Sequence, residues 1–377
     1  MHKYILIPDS FKGTLSARDF CAVAREAIGR ADPGAQVLSI PLADGGEGTV
    51  EAFLAACGGQ RIECPCTGPY GGTAPGFYGL LPDGTAVVEL AAAAGLPLAG
   101  TDLHPAEATT YGVGQLLLHA ARHGARRLLL GLGGSATNDG GCGAAAALGA
   151  EFLDAEGRAF VPTGGTLTQI AHIRMKGLRE TLAGAEVTVM CDIDNPLCGP
   201  AGAAAVFGPQ KGADAAMVAR MDAGLRHLAE TLEKDVGMEV LTLAGGGSAG
   251  GFGAGAAAFF GGQLRMGIDV VLDLTDFDRK CRGASLVITG EGHLDSQSLR
   301  GKTVVGVARR ARALGVPAAA LVGGCETALE AVYAEGVSGV FPIHPALCTW
   351  PQAAARTEED LRFTMGNLLR FMAALRR

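Results

Sequence analysis

Short apolar runs that end in polar, glycine-rich loops and hand over to amphipathic stretches recur at both ends of this chain. Lys3-Tyr-Ile-Leu-Ile-Pro8 reads as a strand. A helix follows from Ala17 to Arg30: Ser16 can cap it, and Phe20, Ala24, Ala27 and Ile28 share one face. A second strand, Gln36 to Leu42, runs into Asp44-Gly-Gly-Glu-Gly48, and a helix is predicted over Thr49 to Cys57. The closing part repeats the pattern. Strand 285–289 leads through a polar loop to helix 303–314, strand 318–322 to helix 327–335, and strand 337–343 to a last helix, about 357–375. Repeated β-loop-α units predict a parallel sheet.

Between the ends the pattern changes. Residues 61–90 read as antiparallel strands with Gly-Pro turns, helix 106–123 precedes strand Arg127 to Gly131, and a long polar-faced helix covers 214–236. A chain of 377 residues exceeds one typical core. The expected organisation is therefore a doubly wound α/β domain from 1–60 and 283–377, interrupted by an inserted domain over 61–282. Ligands of doubly wound sheets sit at the carboxyl ends of strands. The loops at 9–14, 43–48 and 290–302 hold that position and are expected to converge on one mouth, which the insert can close.

Composition narrows the partners. Hydrophobic residues make up 48% and charged residues 18%, so buried cores are supported and disorder is not. Net charge is −7 and no basic stripe occurs, which argues against nucleic acid. An anionic substrate must be met by a few local bases. The N-terminus lacks a signal-peptide pattern and no apolar run reaches the ~20 residues of a membrane span, so a cytoplasmic protein is expected. The ten cysteines lack metal-site spacing and read as reduced core thiols.

Glycine, at 58 residues, is about twice its usual share and gathers beside charge. Leu286 to Thr303 carries Gly290, Glu291, Asp295, Arg300 and Lys302: acids able to hold a divalent cation and bases able to hold phosphate. Asp9-Ser10-Phe-Lys12-Gly-Thr14 places a carboxylate, a hydroxyl and an ammonium before a helix, where an anion is welcome; the plainer alternative is a helix cap with a solvated lysine. Asp44, Gly46 and Glu47 can reach a cation or a substrate hydroxyl, although Glu47 also suits a first helical turn. Asp192, Asp194 and Asn195 end another strand and lead on to Lys211; an Asx-Pro turn is the alternative. The run Gly245 to Gly255, with Gly246 and Ser248, offers backbone donors to phosphate or else close helix packing. Ser135, Thr137, Asn138 and Asp139 occupy a further loop, Gly131 to Gly141.

Two nucleotide patterns fail on inspection. Gly301-Lys302-Thr303 has Ser296 where a P-loop needs glycine, and lies too far from its strand. Gly131-Leu-Gly133-Gly-Ser-Ala136 fits a dinucleotide fingerprint but continues into Thr137-Asn-Asp-Gly-Gly, too polar for a helix packed on pyrophosphate.

Taken together and in order, these loops resemble the bacterial glycerate kinase family of the two-domain type, distinct from the MOFRL-type glycerate kinases and the P-loop plant enzymes. The likeness is carried by Ile7 to Ala17, Pro41 to Thr49, Gly131 to Gly141, Cys191 to Lys211 and Thr289 to Lys302, and spans essentially the whole chain. It implies ATP-dependent phosphorylation of D-glycerate to 2-phosphoglycerate, with 3-phosphoglycerate as the competing product. It also implies a flavodoxin-like domain from both chain ends and a restriction-endonuclease-like insert. Phosphoryl transfer asks for positioning and charge neutralisation. On that chemistry Asp192 and Asp295, with Glu291 as a further candidate, are expected to engage magnesium. Lys12 and Lys211 should neutralise phosphate or carboxylate, and Arg300 or Lys302 should clamp the other anion. Asp44 is the first candidate base and Asp295 the second. A homo-oligomer is left open. The rivals are a nicotinamide-dependent hydroxy-acid oxidoreductase, resting on Gly131 to Ala136, and a non-catalytic sensor, which would dispense with Asp44, Asp192, Glu291 and Asp295.

Overall fold

A computed structural model describes residues 1–375 except Lys12, Ala43, Asp44, Ser296, Gln297, Gly301, Thr327, Ala328, Leu329, Leu347 and Cys348; it leaves the Arg300 side chain undescribed. The chain is mixed α/β and divides into two units. One comprises Met1–Ala43, Ala55–Cys57 and Ile268–Arg377, the other Asp44–Leu54 and Gly58–Gly267.

The first unit is built on five parallel strands in the order Val337–Pro342, Ala318–Cys325, Leu286–Leu294, Lys3–Leu6, Gln36–Ser39. Its central strands are continuous apolar runs, as sheets covered on both faces require. Phe20, Ala24 and Ile28 of helix Ala17–Ala31 join Leu361 and Met365 of helix Trp350–Leu375 in one core with Tyr4, Leu6 and Ile288. The Ser16 hydroxyl accepts from the Asp19 N–H, the expected cap.

Two elements depart from expectation. The strand expected to stop at 289 runs on to Leu294, so Gly290 and Glu291 lie on a strand and not in a loop. Its partner explains the extension: Glu291 pairs with Val322 and His293 with Gly324, and a Cβ at Gly323 would meet the Gly292 carbonyl at 2.5 Å. The last helix begins at Trp350 and not near 357. Pro351 lies in its first turn, where a missing N–H breaks no helical bond, and Thr349 bonds Gln352 through both its N–H and its hydroxyl.

The second unit holds a six-stranded mixed sheet in the order Gln263–Arg265, Glu186–Met190, Arg127–Gly131, Thr85–Glu89, Phe77–Leu80, Gln60–Glu63. The first four are mutually parallel; on its other side Thr85–Glu89 pairs antiparallel with Phe77–Leu80, which pairs antiparallel with Gln60–Glu63, the antiparallel strands expected over 61–90. A small antiparallel sheet, Ala159–Phe160, Glu151–Leu153 and His172–Arg174, was not legible from the pattern. The helix expected from 106 begins at Tyr111, because Thr110 gives its N–H and hydroxyl to Asp139. The run from Gly245 is helical from Ser248 to Phe260, kinked where Ala249, Gly250 and Gly251 take positive φ. Gly253 and Gly255 are packing contacts there: a Cβ would stand 2.3 Å from the Gly245 carbonyl or 2.0 Å from that of Gly140. No helix among the described residues is long and apolar enough to cross a membrane, and the described cysteines are free thiols.

Candidate active site

In the first unit, acids gather at the carboxyl ends of adjacent parallel strands. The Asp9 N–H donates to the Gly290 carbonyl at 2.8 Å, so the two strand ends are fixed side by side. Asp9 accepts from the Ser10 N–H at 2.6 Å and from the Thr303 hydroxyl at 3.3 Å. Glu291 accepts from the Ser298 hydroxyl at 2.8 Å, and Asp295 accepts from the Ser298 N–H at 3.2 Å. Burial pushes the Glu291 carboxyl up to about 7; the Ser298 hydrogen bond opposes the shift, Asp9 and Asp295 add to it, and Lys302 opposes it. Lys302 occupies the cap of helix Thr303–Ala313, and Arg300 ends the turn Ser298–Arg300. The structure thus brings Ser10, Gly290, Glu291, Asp295 and Lys302 together around Asp9.

The second unit places its polar residues inside. The loop after strand Arg127–Gly131 is held to the loop before helix Thr49–Cys57 backbone to backbone: the Gly133 N–H donates to the Gly45 carbonyl at 2.9 Å, and a Cβ at 133 would lie 2.5 Å from the Gly46 Cα. Gly46 is buried there and Glu47 is exposed. Asp139 is fully buried and accepts from the Thr110 N–H and hydroxyl, each at 2.8 Å, and from the Gly141 and Gly143 N–H groups at 3.1 and 3.2 Å. Burial raises its pKa against those bonds. Asp139 therefore builds the loop, and helix Cys142–Ala147 starts six residues beyond Ala136 with this carboxylate at its first turn. That leaves no seat for the pyrophosphate of a dinucleotide.

Ser135 and Thr137 bond each other through their hydroxyls at 3.0 Å. Asn138 is 0% exposed, and neither its Oδ1 nor its Nδ2 has a partner among the described residues. Lys211, 3% exposed, donates to the Thr137 carbonyl at 2.6 Å and forms no ion pair with a described carboxylate. Burial lowers its pKa to about 8, with Asp139 acting in the opposite direction. A buried ammonium and an unsatisfied amide on neighbouring residues are expensive to maintain without a ligand.

The remaining calls are placed as follows. Asp192 accepts from the Gly267 N–H at 2.6 Å. The Asn195 side-chain amide donates to the Ala201 carbonyl at 2.8 Å, and its backbone carbonyl accepts from the Gly247 N–H at 3.0 Å. Ser248 bonds Cys191, and the Gly246 N–H donates to the Leu243 carbonyl. Lys12 and Asp44 lie outside the described residues. Sequence reasoning missed Glu89 and Thr110. Glu89 had a signal: it is a lone acid in the apolar run Ala86 to Ala94, and a buried acid needs donors.

Among the described residues no group of three His, Cys, Asp or Glu side chains forms a metal cage. Magnesium asks for less, taking one or two carboxylates and filling its octahedron with water and phosphate oxygens. The crowded acids Asp9, Glu291 and Asp295 fit that demand, since a cation would relieve the repulsion that burial aggravates.

The model of the glycerate kinase family matches residues 4–373. A glycerate kinase of Bacillus subtilis is 44% identical, covering 97% of this chain and 96% of that protein. A glycerate 2-kinase of Escherichia coli is 40% identical over 93% of each. The crystal structure of a protein provisionally described as glycerate kinase 2 from Salmonella typhimurium LT2 superposes with a TM-score of 0.88 at 40% identity, covering 100% of this chain and 99% of that one. The chain belongs to the glycerate kinase family.

Proposed function

We propose that this member of the glycerate kinase family transfers the γ-phosphoryl group of ATP to the 2-hydroxyl of D-glycerate, giving 2-phosphoglycerate and ADP. The observation that carries the acceptor side is the Lys211–Asn138 centre. The unpaired ammonium suits a carboxylate, and an amide with donor and acceptor both open suits the adjacent hydroxyl. On the nucleotide side, Asp295 and Glu291 are assigned to the magnesium ion, with Lys302 and Arg300 for phosphate. Asp192 is kept as a metal ligand on the chemistry of strand-end acids. Magnesium, when bound, neutralises charge on the β- and γ-phosphates. The chain's own residues hold the acceptor carboxylate, align its hydroxyl and take its proton. Asp44 is assigned as the base, with Asp295 second, and Lys12 as a further phosphate contact.

The first unit supports a flavodoxin-like reading: numbered along its own strands, the order is 2-1-3-4-5, all parallel. A doubly wound domain from both chain ends, interrupted by a restriction-endonuclease-like domain, is the arrangement we propose. The test of function is an ADP-release assay over D-glycerate, L-glycerate, glycerol and tartronate. Adding enolase alone then separates the products, since only 2-phosphoglycerate dehydrates directly to phosphoenolpyruvate. Formation of phosphoenolpyruvate only when a mutase is also present assigns the 3-phosphate instead.

A further inference from the structure

The Asn138 amide is buried with both of its polar atoms open, and the fold does not let it turn away. Asp139, the next residue, ties the loop to Thr110, Gly141 and Gly143. Bare backbone closes on Asn138 from two directions. A Cβ at Gly250 would stand 2.1 Å from the Thr137 carbonyl and 2.6 Å from the Asn138 Cα, and a Cβ at Gly164 would lie 3.3 Å from the Asn138 Cβ. The Gly250 carbonyl accepts from the Gly140 N–H at 3.1 Å, which fastens the kinked helix start to the loop. Ala249, in the same kink, holds φ 51°, a left-handed backbone that is unfavourable for a residue with a Cβ. Strain and close packing are thus both spent on keeping an unpaired amide where it is.

A primary amide presents an N–H donor and a carbonyl acceptor side by side in one plane. A single hydroxyl answers only one of them well. Hydroxyls on two neighbouring carbons answer both: one accepts from Nδ2 and keeps its own proton for a base, and the other donates to Oδ1. The charge for an acid stands on the same peptide, since the Lys211 ammonium donates to the Thr137 carbonyl that precedes the Asn138 N–H. We propose that Asn138 is a specificity-determining residue, which selects acids with hydroxyls on two neighbouring carbons over acids with only one. The inference rests on the glycerate kinase reading for its acceptor, and on the buried open amide for its selectivity. An analogue that lacks either hydroxyl leaves one polar atom buried without a partner, a loss that binding elsewhere does not restore.

The experiment measures dissociation constants by isothermal titration with magnesium–ADP present. The ligands are D-glycerate, D-lactate, which lacks the C3 hydroxyl, and 3-hydroxypropionate, which lacks the C2 hydroxyl. Each analogue is expected to bind wild type about 10- to 100-fold more weakly than glycerate, the scale of one buried polar atom left unpaired. Asn138→Leu removes both polar atoms at similar size, and Asn138→Ala carries the same comparison if Leu does not fold. In the folded variant the lead of glycerate over both analogues should shrink to within about three-fold. Lys211→Met is the control: all three acids share the carboxylate, so it should weaken them by a common factor. An analogue that binds wild type within about two-fold of glycerate overturns the selectivity and leaves the kinase reading standing. So does a lead that survives intact in a folded Asn138 variant. A wild type that binds none of the three acids sinks the acceptor reading, and this inference with it.

Discussion

The two units use glycine and carboxylate in opposite ways. In the first, the acids stand at strand ends beside a helix start, where Glu291 and Asp295 remain partly accessible and share Ser298. In the second, glycines let backbones meet without side chains between them, and the polar residues Asp139, Asn138, Lys211 and Glu89 lie inside. One compositional signature, glycine next to charge, therefore stands at an accessible acidic strand end in one place and in a buried polar centre in another. Burial decides which: an edge acid can wait for its ligand in water, whereas an interior one must be bonded by the chain or by substrate.

The sharpest break in this comparison comes from Asp295→Asn at the edge. Its kcat should fall about 100-fold, as when one preorganised charged group is lost, with the melting temperature unchanged. Near-normal turnover in the purified variant would strike Asp295 from the site. In the interior, Lys211→Met should lower kcat/KM for glycerate by about 10- to 100-fold. Its stability should hold or rise, because the fold disfavours the charge it removes, as the lowered pKa shows. A melting curve that drops sharply would instead make Lys211 structural.

Much of this was legible in the sequence because local chemistry and topology agree. Helix Thr49–Cys57 and strand Arg127–Gly131 have the expected bounds, and the helix expected over 214–236 runs from Ala215 to Val236 behind an Asp214 cap. What escaped depends on long-range partners. The strand through Glu291 is extended by Gly323 and Gly324, more than thirty residues later. Gly253 and Gly255 read in sequence as phosphate donors or as helix-packing positions, and the choice falls to packing only once Gly245 and Gly140 are known to lie against them. Asp139 and Asn138 are neighbours with the same polarity, yet one is fully bonded by the chain and the other is not.

A smaller effect probes the packing itself. Gly255→Ala would gain helix propensity in open space, but its Cβ would stand 2.0 Å from the Gly140 carbonyl. Overpacking of that kind should destabilise by about 1–3 kcal/mol in denaturant titration. A stabilised variant would contradict the close approach. The mildest effect is in pH. Burial raises the Glu89 carboxyl from 4.5 to about 7, with the like charge of Glu51 adding to it. The folded state therefore binds the proton more tightly than the unfolded chain. The associated stability is fully present below about 4.5 and is lost as pH rises through about 7. Glu291 moves in the same direction, so Glu89→Gln should flatten the decline only in part, as read from melting temperatures across that window.

The division of labour is tested most directly by measuring KM for D-glycerate and for magnesium–ATP separately in Lys211→Met. The glycerate KM should rise about ten-fold or more while the ATP KM stays near that of wild type. A variant whose glycerate KM is unchanged, or whose ATP KM rises in step, would contradict the assignment of the buried centre to the acceptor.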